Sequence, residues 1–237
     1  MNLEEGRSKS TVARLGVLGG SFNPVHFGHL HIAQRSHEIF GFSQTLFVVA
    51  GIPPHKPAQD LIPSTHRYAM VCLATAGHPG FVPSLIELEP PASPYSVDTL
   101  TKLEHRYGVT GKNLYFIAGG DSLLEVSGWH RSEVLLEQYN FVFVMRPGVN
   151  TPDLAAILPR DALTRIADCR GVGANELRRR LAAELAAPAC RIYLVDAEAP
   201  DIAASEIRRL ASMGCNIGPF VPASVGEYIS KLHLYGE

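Results

Sequence analysis

The chain has 237 residues, 46% hydrophobic and 19% charged, which is enough to bury one substantial core. Its formal net charge of −2 lacks the basic excess of a nucleic-acid binder, and no apolar run approaches the ~18 residues of a membrane span. Cys72, Cys169, Cys190 and Cys215 are widely spaced with no CxxC pair, so they read as reduced thiols of a cytoplasmic protein rather than as a disulfide framework.

Residues 1–13 are polar, carry no apolar signal-peptide core, and are expected to form a flexible tail before a single domain over 14–237. Apolar, β-prone runs at 14–19, 45–50, 81–88, 113–118, 140–145 and 190–195 read as strands. Helical patterns occur at 29–40, 65–76, 96–107, 132–137, 175–187, 205–212 and 222–232. This alternation predicts an α/β, Rossmann-like, doubly wound parallel sheet with helices on both faces. Ligands of such sheets bind beyond the carboxyl ends of the strands.

The first strand runs into Gly19-Gly20-Ser21-Phe22-Asn23-Pro24-Val25-His26-Phe27-Gly28-His29-Leu30, which opens the first helix. A strand, a glycine turn and a helix N-terminus make an anion site, because unpaired backbone N–H groups point at whatever sits there. Gly19 and Gly20 let the backbone approach a phosphate without a Cβ in the way. His26 and His29 can each donate to phosphoryl oxygens. His31 invites a metal reading, but a zinc site wants four ligands, and no carboxylate or cysteine lies close in sequence to complete one. No protein-held metal is therefore expected.

Further along, Pro53-Pro54-His55-Lys56-Pro57 is a rigid loop carrying a cation just after the second strand. In Pro94-Tyr95-Ser96-Val97-Asp98-Thr99-Leu100, Ser96 suits the N-cap of the next helix. Phe116-Ile117-Ala118-Gly119-Gly120-Asp121-Ser122-Leu123 puts a carboxylate after a strand and glycines, where it can accept bonds from ribose hydroxyls. Trp129, the only tryptophan, precedes His130; a flat ring stacked on it gains roughly 0.5–1.5 kcal/mol beyond burial. Arg146 ends a strand on the same edge, and the Ala-, Leu- and Arg-rich stretch that follows reads as a solvated helix near 175–181. In Asp201-Ile202-Ala203-Ala204-Ser205-Glu206-Ile207-Arg208, Ser205 is a plausible N-cap. Helix-start amides and the planar fork of Arg208 would there form a second anion site, suited to pyrophosphate.

The string from Gly19 to Leu30 resembles the HxGH signature of the nucleotidyltransferase superfamily, and is most similar to that of the nicotinate-nucleotide adenylyltransferases. The segment at 94–100 resembles that family's SYTxDTL, with Pro94 and Ser96 as departures, and 119–129 resembles its GxDxL…W. Residues 202–208 resemble ISSTxIR, with Ser205 in place of threonine and Ala203 and Ala204 in place of the serines. The resemblance implies transfer of the adenylyl group of ATP to nicotinate mononucleotide, giving nicotinate adenine dinucleotide and pyrophosphate. It implies catalytic roles for His26, His29 and Arg208, and ATP contacts from Gly19, Gly20, Ser21, Phe22, Arg146, Ile202 and Ser205. It implies acceptor contacts from Lys56, Tyr95, Ser96, Gly119, Asp121, Trp129 and His130, with backbone N–H groups of Tyr95 and Ser96 on the nicotinate carboxylate. Mg²⁺ would arrive on the ATP phosphates. A homo-oligomer stays open; nucleic-acid and membrane partners are not expected.

Two alternatives share this chemistry or this site: an acceptor such as nicotinamide mononucleotide or phosphopantetheine, and a nucleotide sensor weakened by Ala203 and Ala204. A hydride-transfer Rossmann enzyme is disfavoured, because G-x-G-x-x-G with an acid about twenty residues on is missing.

Overall fold

Seven strands pair into one parallel sheet in the computed structural model, which describes residues 13–51, 61–145, 153–173, 176–177, 179–181, 189–196 and 202–236. They are β1 (Leu15–Gly20), β2 (Gln44–Val49), β3 (Phe81–Ser84), β4 (Leu114–Gly119), β5 (Asn140–Met145), β6 (Ile166–Asp168) and β7 (Ile192–Asp196). Their order is β3-β2-β1-β4-β5-β7-β6. The strand expected over 81–88 stops at Ser84, and the chain turns back with Leu88 N–H donating to Leu85 O. Pro83 fits because β3 is an edge strand. The opposite edge, β6, was not expected; three residues are too few to carry a pattern.

The helices are α1 (Phe27–Phe40), α2 (Ser64–Thr75), α3 (Ser96–Tyr107), α4 (Asp121–Glu125), α5 (Ser132–Gln138), α6 (Leu154–Ile157), α7 (Arg160–Leu163), α8 (Ala204–Ser212) and α9 (Ala223–Lys231). The short α4, α6 and α7 span at most about one turn each and leave no periodic trace. Most of the helix expected over 175–187 lies outside the described residues, as do Lys56, Arg146 and nearly all of the expected tail.

Alternate strand residues feed two cores. Leu18, Phe47, Ile117 and Val142 pack with Leu30 and Ala33 of α1, Met70 of α2, Ile207 of α8 and Ile229 of α9. Val17, Val48, Phe116 and Phe143 pack with Leu100 of α3, Leu123 of α4 and Leu135 of α5. A sheet covered on both faces needs apolar residues of both parities, which is why its strands read as continuous apolar runs. A fully buried Val, Leu, Ile, Phe or Met side chain contributes about 1.5–3 kcal/mol.

This winding positions the site. The chain steps outward through β1, β2 and β3, then α3 carries it back to β4 on the other side of β1. The reversal opens a crevice at the carboxyl ends of β1 and β4. Gly20 and Gly119, the last residues of those two strands, flank it.

Candidate active site

The turn after β1 is shaped by Phe22 rather than by its glycines. Phe22 has φ 45°, a left-handed conformation costly for a residue with a Cβ. Its ring is 1% exposed and is held edge-on to His29, with centroids 5.1 Å apart, and against Phe47 at 5.8 Å. A Cβ on Gly20 would lie 3.1 Å from that ring, so Gly20 makes room for Phe22. At Gly19 a Cβ would meet only ordinary contact, 3.5 Å from Phe116.

His26 caps α1 with extended backbone and is 7% exposed. Burial pushes its imidazole from 6.5 down to about 4, so the ring is neutral near physiological pH. Its Nδ1 is buried without a hydrogen-bond partner. One turn on, His29 Nδ1 accepts the His26 backbone N–H at 3.3 Å, which places the ring proton of neutral His29 on Nε2. The two rings lie 3.7 Å apart between centroids. The pair thus sits where the helix dipole favours an anion.

The second anion motif meets this loop directly. Arg208 on α8 donates from Nη1 to Asn23 O at 3.0 Å, and Tyr235 Oη donates to Asn23 Oδ1 at 3.0 Å. Burial raises the Tyr235 phenol, opposed by Arg208 and Arg67, and so keeps it a donor. Ile202 is half-buried against the core that contains Ile207. Two expected caps are corrected. The α8 N-cap is Ala203, leaving Ser205 exposed in the first turn, and the α3 N-cap is Tyr95, one residue before Ser96. In both, the cap carbonyl takes two amide bonds, Ala203 O from Glu206 and Ile207, Tyr95 O from Asp98 and Thr99. That backbone pattern, not the serine hydroxyl, sets the start.

On the β4 side, the rings of Tyr95 and His130 lie 4.1 Å apart between centroids and tilted by 30°, and both residues are exposed. Trp129 is half-buried, edge-on to Phe116 at 5.6 Å and tilted on Phe141 at 6.4 Å, so it belongs partly to the core. Asp121 opens α4 and is exposed. A Cβ on Gly119 would meet nothing within 4 Å, which marks open space over the end of β4. The Tyr95 N–H, implied for the nicotinate carboxylate, donates to Ser93 Oγ at 3.3 Å and must leave that partner to serve a ligand.

The structure therefore brings His26, His29, Phe22, Ser21 and Arg208 together, and separately groups Tyr95 with His130. Sequence reasoning gave no role to Asn23 or Tyr235, whose contact spans 212 positions. A 950 Å³ cavity lined by Lys112, Glu137, Asp161, Arg165 and Cys190 lies elsewhere, at the amino ends of the strands.

Residues 17–210 match the cytidylyltransferase-like family. A protein of Geobacter metallireducens named probable nicotinate-nucleotide adenylyltransferase is 37% identical over 222 residues, covering 94% of this chain and 98% of the relative. One of the same name from Pelobacter propionicus is 37% identical over 226 residues, covering 94% and 99%. Among solved structures, the Plasmodium falciparum nicotinic acid mononucleotide adenylyltransferase complexed with NaAD superposes with a TM-score of 0.65 at 16% identity, covering 94% of this chain and 97% of that one. This last likeness shows the fold.

Proposed function

This chain belongs to the cytidylyltransferase-like family, among its nicotinate-nucleotide adenylyltransferases, and from that premise we propose that it transfers the adenylyl group of ATP to nicotinate mononucleotide. A 5′-phosphate oxygen of the acceptor attacks the ATP α-phosphorus in line. The new P–O bond forms as the α–β bridging P–O bond breaks, and pyrophosphate leaves with the electron pair. The attacking phosphate is already anionic, so no strong general base is required, and catalysis is positioning plus charge stabilisation.

The observation that carries this reading is the His26–His29 pair, 3.7 Å apart between ring centroids at the N-terminus of α1 and beside the sheet's crevice. His26 and His29 donate to the α-phosphate as its charge builds. Arg208 holds the leaving pyrophosphate while it is tied to Asn23 O. Gly19 to Phe22, with Ile202 and Ser205, border the triphosphate. Gly119, Asp121, Tyr95, Ser96, Trp129 and His130 border the acceptor; of the two residues outside the described ones, Lys56 is assigned to the acceptor and Arg146 to ATP. Mg²⁺, when bound, offsets polyphosphate charge. Among the described residues no three His, Cys, Asp or Glu side chains gather to hold a metal. We further place the enzyme in the cytoplasm, with residues 14–237 as one domain; no helix among the described residues is long and apolar enough to cross a membrane.

The test is pyrophosphate release with ATP and Mg²⁺, comparing nicotinate mononucleotide, nicotinamide mononucleotide and phosphopantetheine. Strong preference for the nicotinate form is expected. Preference for another acceptor refutes the pocket assignment, and no release with any refutes the transferase reading.

Trp129→Ala separates platform from core. Loss of a stacked pyridine ring, worth roughly 0.5–1.5 kcal/mol, is expected to raise the acceptor KM about two- to tenfold and to leave the ATP KM nearly unchanged. Steady-state kinetics in both substrates checks this, and equal rises in both KM values would eliminate the stacking role.

A further inference from the structure

Arg67, on α2, is 2% exposed, and its guanidinium ends on four backbone carbonyls. Nε donates to Ile62 O at 3.1 Å, and Nη1 donates to both Ser21 O and Ala50 O at 2.7 Å. Nη2 donates to Gly51 O at 2.9 Å. These acceptors come from the first residue after β1, the first two after β2, and the approach to α2. Gly51 is gripped from its other side as well, because its N–H donates to a Glu87 carboxylate oxygen at 3.3 Å.

We propose that Arg67 is a positioning residue for the phosphate loop: it pins the Ser21 carbonyl and so fixes the Ser21–Phe22 peptide in the orientation that turns N–H, rather than C=O, toward the bound nucleotide. The peptide group is planar and trans, so a carbonyl drawn onto Arg67 sends the Phe22 N–H the opposite way. Rotating that peptide would change ψ of Ser21 and φ of Phe22 together. Phe22 holds φ 45°, the unfavourable side for a residue with a Cβ, so the peptide needs an external restraint. A released Ser21 carbonyl could swing its partial negative charge toward the polyphosphate.

The chemistry demands arginine. Its planar fork has five donors and reaches four carbonyls at once, whereas an ammonium has three and no fixed plane. Burying the charge is costly, and the four carbonyls offset that cost. Burial pulls the guanidinium below the ordinary arginine value, with nearby Tyr235 and Glu87 opposing the shift. Tyr235 also holds Asn23, so the loop is restrained at both ends of Ser21–Asn23.

The effect on turnover rests on the adenylyltransferase reading; the restraint itself does not. Arg67→Lys and Arg67→Gln are expected to lower kcat for pyrophosphate release by up to about 10²-fold, with acceptor KM little changed, lysine recovering less than its retained charge suggests. Thermal unfolding run in parallel isolates the structural part: a fall in Tm with kcat per folded enzyme unchanged overturns the proposal. If neither variant folds, ¹⁵N NMR of the wild-type enzyme decides. The Arg67 Nε–H should exchange slowly with and without ATP, while the Phe22 amide shifts when ATP is added. Rapid Nε–H exchange, or a Phe22 amide indifferent to ATP, overturns it. A wild-type enzyme that binds ATP with these signatures but releases no pyrophosphate would instead fault the functional reading.

Discussion

His29→Ala is expected to lower kcat by about 10²–10³-fold while leaving far-ultraviolet circular dichroism unchanged, as for the loss of one transition-state donor. The loss should fall on kcat rather than on either KM, because in the proposed reaction the Nε2–H acts on charge that grows only as the α-phosphorus is attacked. His29 is the cleaner of the two histidines to remove. It is half-buried in the first turn of α1, where alanine is a good helix former. His26 is 7% exposed and is itself the N-cap, so truncating it would mix a packing defect with a catalytic one. Pyrophosphate release at saturating substrates reads the effect. A near-normal rate with a normal spectrum would remove His29 from the charge-stabilising role.

The parts of this molecule that sequence made visible are those whose signal is local. β1 is apolar on both faces because both are covered, and the strand, the turn and the two histidines follow one another without a break. The expected N-cap of α3 was off by one residue and that of α8 by two, since side-chain preference for serine competed with backbone geometry and lost. Residues whose role depends on distant partners gave no sign. Arg67 sits in Ser64-Thr65-His66-Arg67-Tyr68, where an arginine reads as an exposed helix position, and its acceptors are carbonyls that any residue would supply. Tyr235 meets Asn23 only because α9 packs back on α2 and the chain end then turns through His233 and Tyr235, both at positive φ. Trp129 was legible as an unusual residue, but its edge contacts with Phe116 and Phe141 depend on β4 and β5 lying side by side.

Arg208 carries the second large expectation, and the two alanines before it make that expectation larger. Ala203 and Ala204 offer no hydroxyl where the family motif has serines, and Ser205 is exposed rather than capping, so the proposed mechanism leaves the leaving pyrophosphate to the helix amides and Arg208. Arg208 also holds Asn23 O at 3.0 Å, so its removal loosens the loop from which His26 and His29 follow. Arg208→Ala is therefore expected to reduce kcat/KM for ATP by about 10²–10³-fold, on the scale of a lost charge-stabilising donor. Arg208→Lys should sit between. It keeps the charge and can satisfy Asn23 O, but it cannot also present a planar pair of donors to phosphate. In that variant, pyrophosphate inhibition should weaken while the acceptor KM holds. Restoring Ala203→Ser and Ala204→Ser in the Arg208→Lys background should recover part of the loss, since the added hydroxyls can donate where the fork no longer does. ATP kinetics unchanged by Arg208→Ala would mean that the amides of α8 bind the polyphosphate alone and that Arg208 serves only Asn23.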